Sequence, residues 1–178
     1  MTIETARLSL REPDDGDVEL LREYYRRNAA RFDEWGEGRR DLAEEHRAWI
    51  AARHAERRNG APAAFLALDR ETDATVAVVV LTGFSIEPAS AMLSYSVDGA
   101  YEGRGFASEA VRAVVGYAFA TFDLQTITAH YDPANARSER LLLRLGFREL
   151  ARIGPIMLPH LRRSGQVVTV LDRGAPAA

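Results

Sequence analysis

Apolar and polar residues alternate in ARLSLRE near the start of the chain, the mark of a strand with one buried face, and residues 6–11 are expected to form the first strand. The pattern then lengthens. PDDGD supplies a proline and acidic capping groups for a helix start, and Val18, Leu21, Tyr24, Tyr25 and Asn28 follow at helical spacing. RFDEWGEGRR interrupts this stripe with two glycines. A second helix is expected from residue 41 to about 58, with Leu42, His46, Trp49, Ile50 and Arg53 on one face and RNGAP ending it.

From residue 63 the runs shorten. AAFLALD and TVAVVVLTGF, joined by RETDA, read as an antiparallel strand pair, and SAMLSYSV as a third strand. The fullest helical stripe comes next: Ala107, Ala110, Val111, Val114, Val115, Ala118 and Phe122. QTITAHY returns to strand. NARSERLLLRLGF predicts a short helix closed by Gly146, a residue type suited to the left-handed cap. FRELARIGPIM and QVVTVLD read as closing strands, and residues 173–178 as a frayed tail.

The order β-α-α-β-β-β-α-β-α-β-β predicts an α/β fold of mixed, α+β character, with about seven strands in one sheet flanked by four helices. Residues 1–172 are expected to be a single domain. The strand–helix–strand unit over residues 91–131 needs a right-handed crossover if its strands are parallel.

Composition narrows the chemistry. A chain of 178 residues can bury roughly two thirds of its unfolded surface. The net charge of -3 gives no electrostatic footprint for nucleic acid. With no cysteine there is no disulfide, no thiolate catalysis and no cysteine metal site. His46, His54, His130 and His160 lack ligand-pair spacing, so no metal is expected. The longest apolar run, around residues 75–81, falls far short of the ~20 residues of a membrane span. MTIETARLSLRE lacks the layout of a signal peptide, and the expectation is a cytoplasmic protein without membrane partners.

The candidate chemistry lies in SYSVDGAYEGRGFASEAVRAVVGYAF, where two glycines separate a strand pattern from a helix pattern. Such a loop suits a phosphate. A Walker A loop requires lysine, and the chain has none. The dinucleotide fingerprint GxGxxG is met at Gly103 and Gly105 but has Ser108 in its last place, and Asp123 comes before the next strand rather than at its end. An acyl-CoA diphosphate loop is the third reading. Consecutive N–H groups of Gly103, Arg104, Gly105, Phe106, Ala107 and Ser108 would face the diphosphate, at the positive end of the following helix. A glycine-rich turn that merely caps the helix is the plainer alternative.

GRGFASEA resembles the R/Q-x-x-G-x-G/A motif of the GNAT superfamily of acyl-CoA N-acyltransferases, and NARSERLLLRLGF its downstream N-x-x-S/A…L-G-F segment. The element order is similar too, and within the superfamily YEGRGFASEA and DPANARSERLLLRLGF look most like the RimJ/RimL type. The resemblance implies the GNAT fold, acetyl-CoA as cofactor and an amine as acceptor. The amine of the RimJ/RimL type is an N-terminal α-amine, and small-molecule amines such as polyamines or antibiotics remain open. So does a sensor that binds acyl-CoA without turnover, and a homodimer would be in keeping with relatives.

By motif position the resemblance gives the Tyr95 backbone N–H the thioester carbonyl and Val97 the pantetheine arm. Asn135 would bond the pantetheine amide, or simply cap its helix. Ser138 would be the acid for the leaving thiolate, or a small packing residue. Leu142 stands where many members carry a tyrosine acid. Glu34 and Trp35 would contact the amine, or be solvated loop residues. Met92 stands where related chains often have a glutamate, His130 is a further candidate base, and no base is assigned. Glu102 replaces the usual Gln or Arg at the head of the motif and is expected to turn its carboxylate away from the diphosphate.

Overall fold

A computed structural model describes residues 1–34, 42–57, 60–158, 161–163 and 165–174. The described residues form ten strands and four α-helices: β1 (Thr2–Glu4), β2 (Leu8–Arg11), α1 (Val18–Glu34), α2 (Ala43–Ala55), β3 (Ala64–Asp69), β4 (Thr75–Ile86), β5 (Ala89–Val97), α3 (Phe106–Thr121), β6 (Thr126–Tyr131), α4 (Ala136–Arg144), β7 (Arg148–Ile153), β8 (Ile156–Leu158), β9 (Leu161–Arg163) and β10 (Gln166–Asp172). Eight strands make one mixed sheet in the order β1-β2-β3-β4-β5-β6-β10-β7, and β8 and β9 form a separate hairpin. No described helix is long and apolar enough to cross a membrane.

The expected order of elements holds, with four differences, one of them the unexpected strand β9 at Leu161–Arg163. TIE at residues 2–4 adds an eighth strand to the sheet, pairing antiparallel with β2. Three residues carry too little alternation to be read as a strand alone. FRELARIGPIM divides at Gly154 and Pro155 into β7 and β8, where proline removes a ladder donor. The second helix is shorter than expected and begins after Leu42, which is half exposed rather than on the buried face.

The chain clusters into two compact units, one of Met1–Leu81 with Tyr95–Tyr117 and one of Thr82–Ser94 with Ala118–Ala178. In the first, β2, β3 and β4 pair antiparallel in sequence. Helix α1 buries Val18, Leu21, Tyr24, Tyr25 and Phe32, which pack with Ile50 of α2 against Ala64, Leu66, Val78 and Val80. Each large apolar side chain so covered contributes about 1.5–3 kcal/mol, and this apolar face is what makes α1 a stable helix in a polar sequence. His46 is fully buried and stacks on Tyr25, with ring centroids 5.5 Å apart. The α3 stripe is buried at Ala110, Val111 and Val114, and the Tyr117 ring meets Phe65 edge-on.

In the second unit, β5 and β6 pair in parallel from Ser90↔Thr126 to Leu93↔Ala129, and β10 lies antiparallel between β6 and β7. Parallel pairing confirms the crossover unit read from the sequence. Leu141, Leu142 and Leu145 of the α4 segment are buried, whereas all six residues of β7 are exposed. The β7–β10 register shifts at Val168/Thr169. Gly146 takes φ +90°, the left-handed cap expected after α4.

Candidate active site

The phosphate-type loop is built by a change of backbone hand. Strand β5 ends at Val97, and Asp98 caps a short 3-10 turn over Gly99–Tyr101 by accepting from the Ala100 N–H at 2.8 Å. Glu102 is extended, Gly103 and Gly105 take φ +69° and +83°, and α3 starts at Phe106. Side chains other than glycine are disfavoured at such φ values by about 1–2 kcal/mol. A Cβ on Gly103 would meet nothing within 4 Å, so glycine is there for backbone conformation rather than for crowding inside the protein.

The first α3 bond outside its own ladder runs from Glu109 N to Gly105 O at 3.1 Å. Among the described residues, no backbone carbonyl outside a helix or strand accepts from the N–H groups of residues 103–108. This is the row of orphan donors at a helix N-terminus, and it suits an anion. The geometry therefore brings together all six loop residues read from the sequence. Ala107 and Ser108 are half-buried in the first turn of α3.

Three side chains set the electrostatics. Glu102 accepts from the Arg31 guanidinium of α1, so the acidic residue at the head of the motif is neutralised. Arg104 is exposed, with its guanidinium 5.3 Å from the Tyr101 ring centroid and 5.1 Å from that of Phe106. Glu109 is held by Thr5 Oγ1 at 2.7 Å, by the Arg7 N–H at 2.8 Å and by Arg7 Nε at 2.7 Å. Burial alone would raise the Glu109 carboxyl, but these donors outweigh it and hold it below the usual range. Arg7 also donates from Nη1 to the Arg104 carbonyl at 3.0 Å and lies 4.0 Å from the Phe106 ring centroid. Sequence reasoning missed Arg7 and Glu109, because a contact between residues 102 positions apart leaves no local pattern.

Tyr95 and Val97 are half-buried on the last turn of β5, beyond the final β5–β6 pair at Leu93↔Ala129. Ser96, between them, faces the opposite way and accepts from the Tyr24 hydroxyl at 3.0 Å. The parallel ladder does not use the backbone of Tyr95 or Val97.

In the second unit, Asn135 Oδ1 accepts from the Ser138 N–H at 3.1 Å, so the capping reading is correct. That bond fixes the amide orientation and directs Nδ2 elsewhere. Ser138 is half-buried in the first turn of α4, and Leu142 is fully buried. Met92 is half-buried within β5, and His130 is exposed on β6 opposite Val168. Burial, then Glu139 and Glu149, push the Tyr131 phenol up. Glu34 ends α1 in sequence, but its side chain, with Trp35 and His160, lies outside the described residues.

Comparisons follow the geometry. A model of the acetyltransferase (GNAT) domain matches residues 7–148. An uncharacterized N-acetyltransferase, p20 of Bacillus licheniformis, is 32% identical over 85 residues, 48% of this chain and 48% of p20, so the match spans about half of that relative. The ribosomal-protein-S5-alanine acetyltransferase of Vibrio fischeri superposes with a TM-score of 0.85 at 20% identity, covering 98% of this chain and 97% of that one. RimL, a ribosomal L7/L12 α-N-protein acetyltransferase solved with coenzyme A, gives 0.84 at 16% identity, covering 99% and 100%. These two likenesses establish the fold.

Proposed function

Because the chain belongs to the acetyltransferase (GNAT) domain family, we propose that it is an acetyl-CoA-dependent N-acetyltransferase whose acceptor is a primary amine, the N-terminal α-amine of a protein or peptide. The observation that carries the proposal is the row of uncommitted N–H groups over residues 103–108, set by two left-handed glycines at the start of α3. The α-amine acceptor is supported by ribosomal-protein acetyltransferases among the structural neighbours. Residues 1–172 would act as one catalytic domain.

The residues fit acetyl-CoA, which brings the activated acetyl thioester. The loop N–H groups would hold the diphosphate, and Arg104 would add the one loop cation that has no carboxylate against it among the described residues. Val97 would hold the pantetheine arm through its backbone, and Asn135 would do so through Nδ2 while Oδ1 keeps the helix cap. The Tyr95 N–H would polarise the thioester carbonyl, and a fixed donor of this kind is worth about 3–4 kcal/mol in the transition state. Ser138 Oγ would give its proton to the departing thiolate sulfur and regain one from the acetylated nitrogen. The lack of cysteine closes an acyl-cysteine route, and transfer is proposed to be direct, in a ternary complex. Glu34 and Trp35 are proposed to contact the acceptor.

Calorimetry with acetyl-CoA, CoA and NADH, then thiol release with peptides bearing N-terminal alanine or serine, spermidine and an aminoglycoside, tests the proposal. Binding of acetyl-CoA but not NADH, with release on the peptides, is expected. Release only with a small amine would move the acceptor, and binding without any release would leave a sensor. No acetyl-CoA binding would overturn the reading. Ser138→Ala should lower kcat more than it weakens acetyl-CoA binding.

A further inference from the structure

Helix α1 carries a second, polar use of its inner face. Tyr24, Arg27, Asn28 and Arg31 stand at i, i+3, i+4 and i+7, one stripe along the helix. Each bonds to the segment that joins β5 to the loop, and the contacts advance in the same order along both. The Tyr24 hydroxyl donates to Ser96 Oγ at 3.0 Å. Arg27 pairs with Asp98 and also donates to the Thr75 carbonyl at 2.9 Å. Asn28 donates from Nδ2 to Asp98 at 3.1 Å and accepts the Gly99 N–H on Oδ1 at 2.9 Å. Arg31 reaches Glu102.

The stripe is not ordinary surface decoration. Tyr24, Asn28 and Asp98 are 0%, 3% and 4% exposed, so their bonds lie away from water, where a missing partner is costly. The fit is also tight. A Cβ on Gly99 would meet the Arg31 guanidinium, so a larger residue there would oblige that side chain to shift. Apolar packing needs none of this. The neighbouring residues Leu21, Tyr25 and Phe32 already bury α1.

We infer that the Tyr24–Arg27–Asn28–Arg31 stripe of α1 positions the acyl-carrying end of β5 and the diphosphate loop as one piece, with Tyr24 acting on the thioester end and Arg31 on the diphosphate end. The inference rests on the acetyl-CoA reading. Tyr24 fixes Ser96, whose neighbours Tyr95 and Val97 offer their backbones to the acetyl and pantetheine groups. Arg31 neutralises Glu102 immediately before the first N–H of the loop. Asn28 and Arg27 clamp the turn between them. All four are positioning residues, since each acts through the segment rather than on the cofactor.

The two ends make different predictions, and neither needs the acceptor amine. Tyr24→Phe removes one hydroxyl and nothing of the aromatic packing. It should lower the ratio of acetyl-CoA to CoA affinity about threefold, because the pantetheine arm at Val97 is common to both ligands whereas only acetyl-CoA has the carbonyl that the Tyr95 N–H would hold. Arg31→Ala should weaken acetyl-CoA and CoA equally, about fivefold, because both carry the diphosphate. Arg31→Lys should recover most of that loss. Calorimetry with acetyl-CoA and CoA reads all three variants, and thermal melts confirm that each is folded. Arg31→Gln, which also leaves Glu102 without its cation, replaces Arg31→Ala if the latter fails to fold, and should weaken both ligands by about the same fivefold. Wild-type binding with both variants unchanged, or with both losing the two ligands alike, would overturn the inference alone. Wild-type protein that binds neither ligand would overturn it together with the acetyl-CoA reading.

Discussion

Arg7→Ala removes a side chain that ties the N-terminal strand region to the glycine loop before α3, and its effect can be worked from the contacts. The Arg7 side chain is 44% exposed and its partner Glu109 17%, so the ion pair is screened by solvent and contributes about 0.2–1 kcal/mol. The guanidinium over Phe106 adds about 0.5–1 kcal/mol. The bond to the Arg104 carbonyl overlaps with both, and a combined loss of about 1–2 kcal/mol is expected. Glu109 is not orphaned, because Thr5 Oγ1 and the backbone N–H of residue 7 remain. The global melting temperature should therefore fall by only about 2–8 °C. The ordered form of the loop bears the same loss, so the acetyl-CoA Kd should rise about five- to thirtyfold. Calorimetry on a variant shown to be folded is the assay. A Kd within about twofold of wild type would refute the idea that Arg7 pre-shapes the loop.

Two further predictions separate roles that the structure superimposes. Asn135→Ala should cost about 1 kcal/mol of stability by removing the α4 cap, whereas Asn135→Ser keeps a capping oxygen and should restore the melting temperature without restoring acetyl-CoA affinity; recovery of both would reduce Asn135 to a cap. Asp98 is subject first to burial, which raises its pKa, but the Ala100 N–H, Arg27 and Asn28 outweigh that and hold it below the usual range, as donors do for Glu109. A depressed folded-state value gives stability that is full above the unfolded values of about 4 and is lost as pH falls through the lower folded values. Melting temperature should accordingly be level down to about pH 5 and fall below about pH 4, with a shallower fall in Arg27→Gln; a flat profile down to pH 3 would contradict it.

Long periodic segments were legible because a buried face repeats. The α1 stripe from Val18 to Asn28 is buried throughout, and the β5–α3–β6 unit has the parallel pairing it needs. Asn28 carried more information than its place in that stripe suggested. A polar residue at a buried helical position must find partners, and its partners are Asp98 and Gly99. Loop conformation was legible through Gly103 and Gly105, since few other residues accept φ near +70° to +80°. What could not be read is long-range pairing. Nothing in ARLSLRE marks Arg7 as a partner of Glu109, and nothing in YEGRG marks Glu102 as a partner of Arg31. Asn135 showed the opposite difficulty, because one side chain satisfied two descriptions and the cap bond employs only one of its two amide atoms.

The exposure of β7 bears on how the protein behaves at high concentration. As the last strand in the sheet order, β7 presents backbone groups that could accept a strand from another molecule. It also exposes Leu150 and Ile153, which would favour that association. Arg148, Glu149 and Arg152 oppose it by placing charge along so short an edge, and the register shift against β10 twists the strand away from a flat template. The opposite end of the sheet order is β1, only three residues long. Replacing Glu149 and Arg152 together by threonine would leave the fold its contacts yet give an edge suited to fibrous aggregation, so colloidal stability here depends on residues that contribute almost nothing to folding.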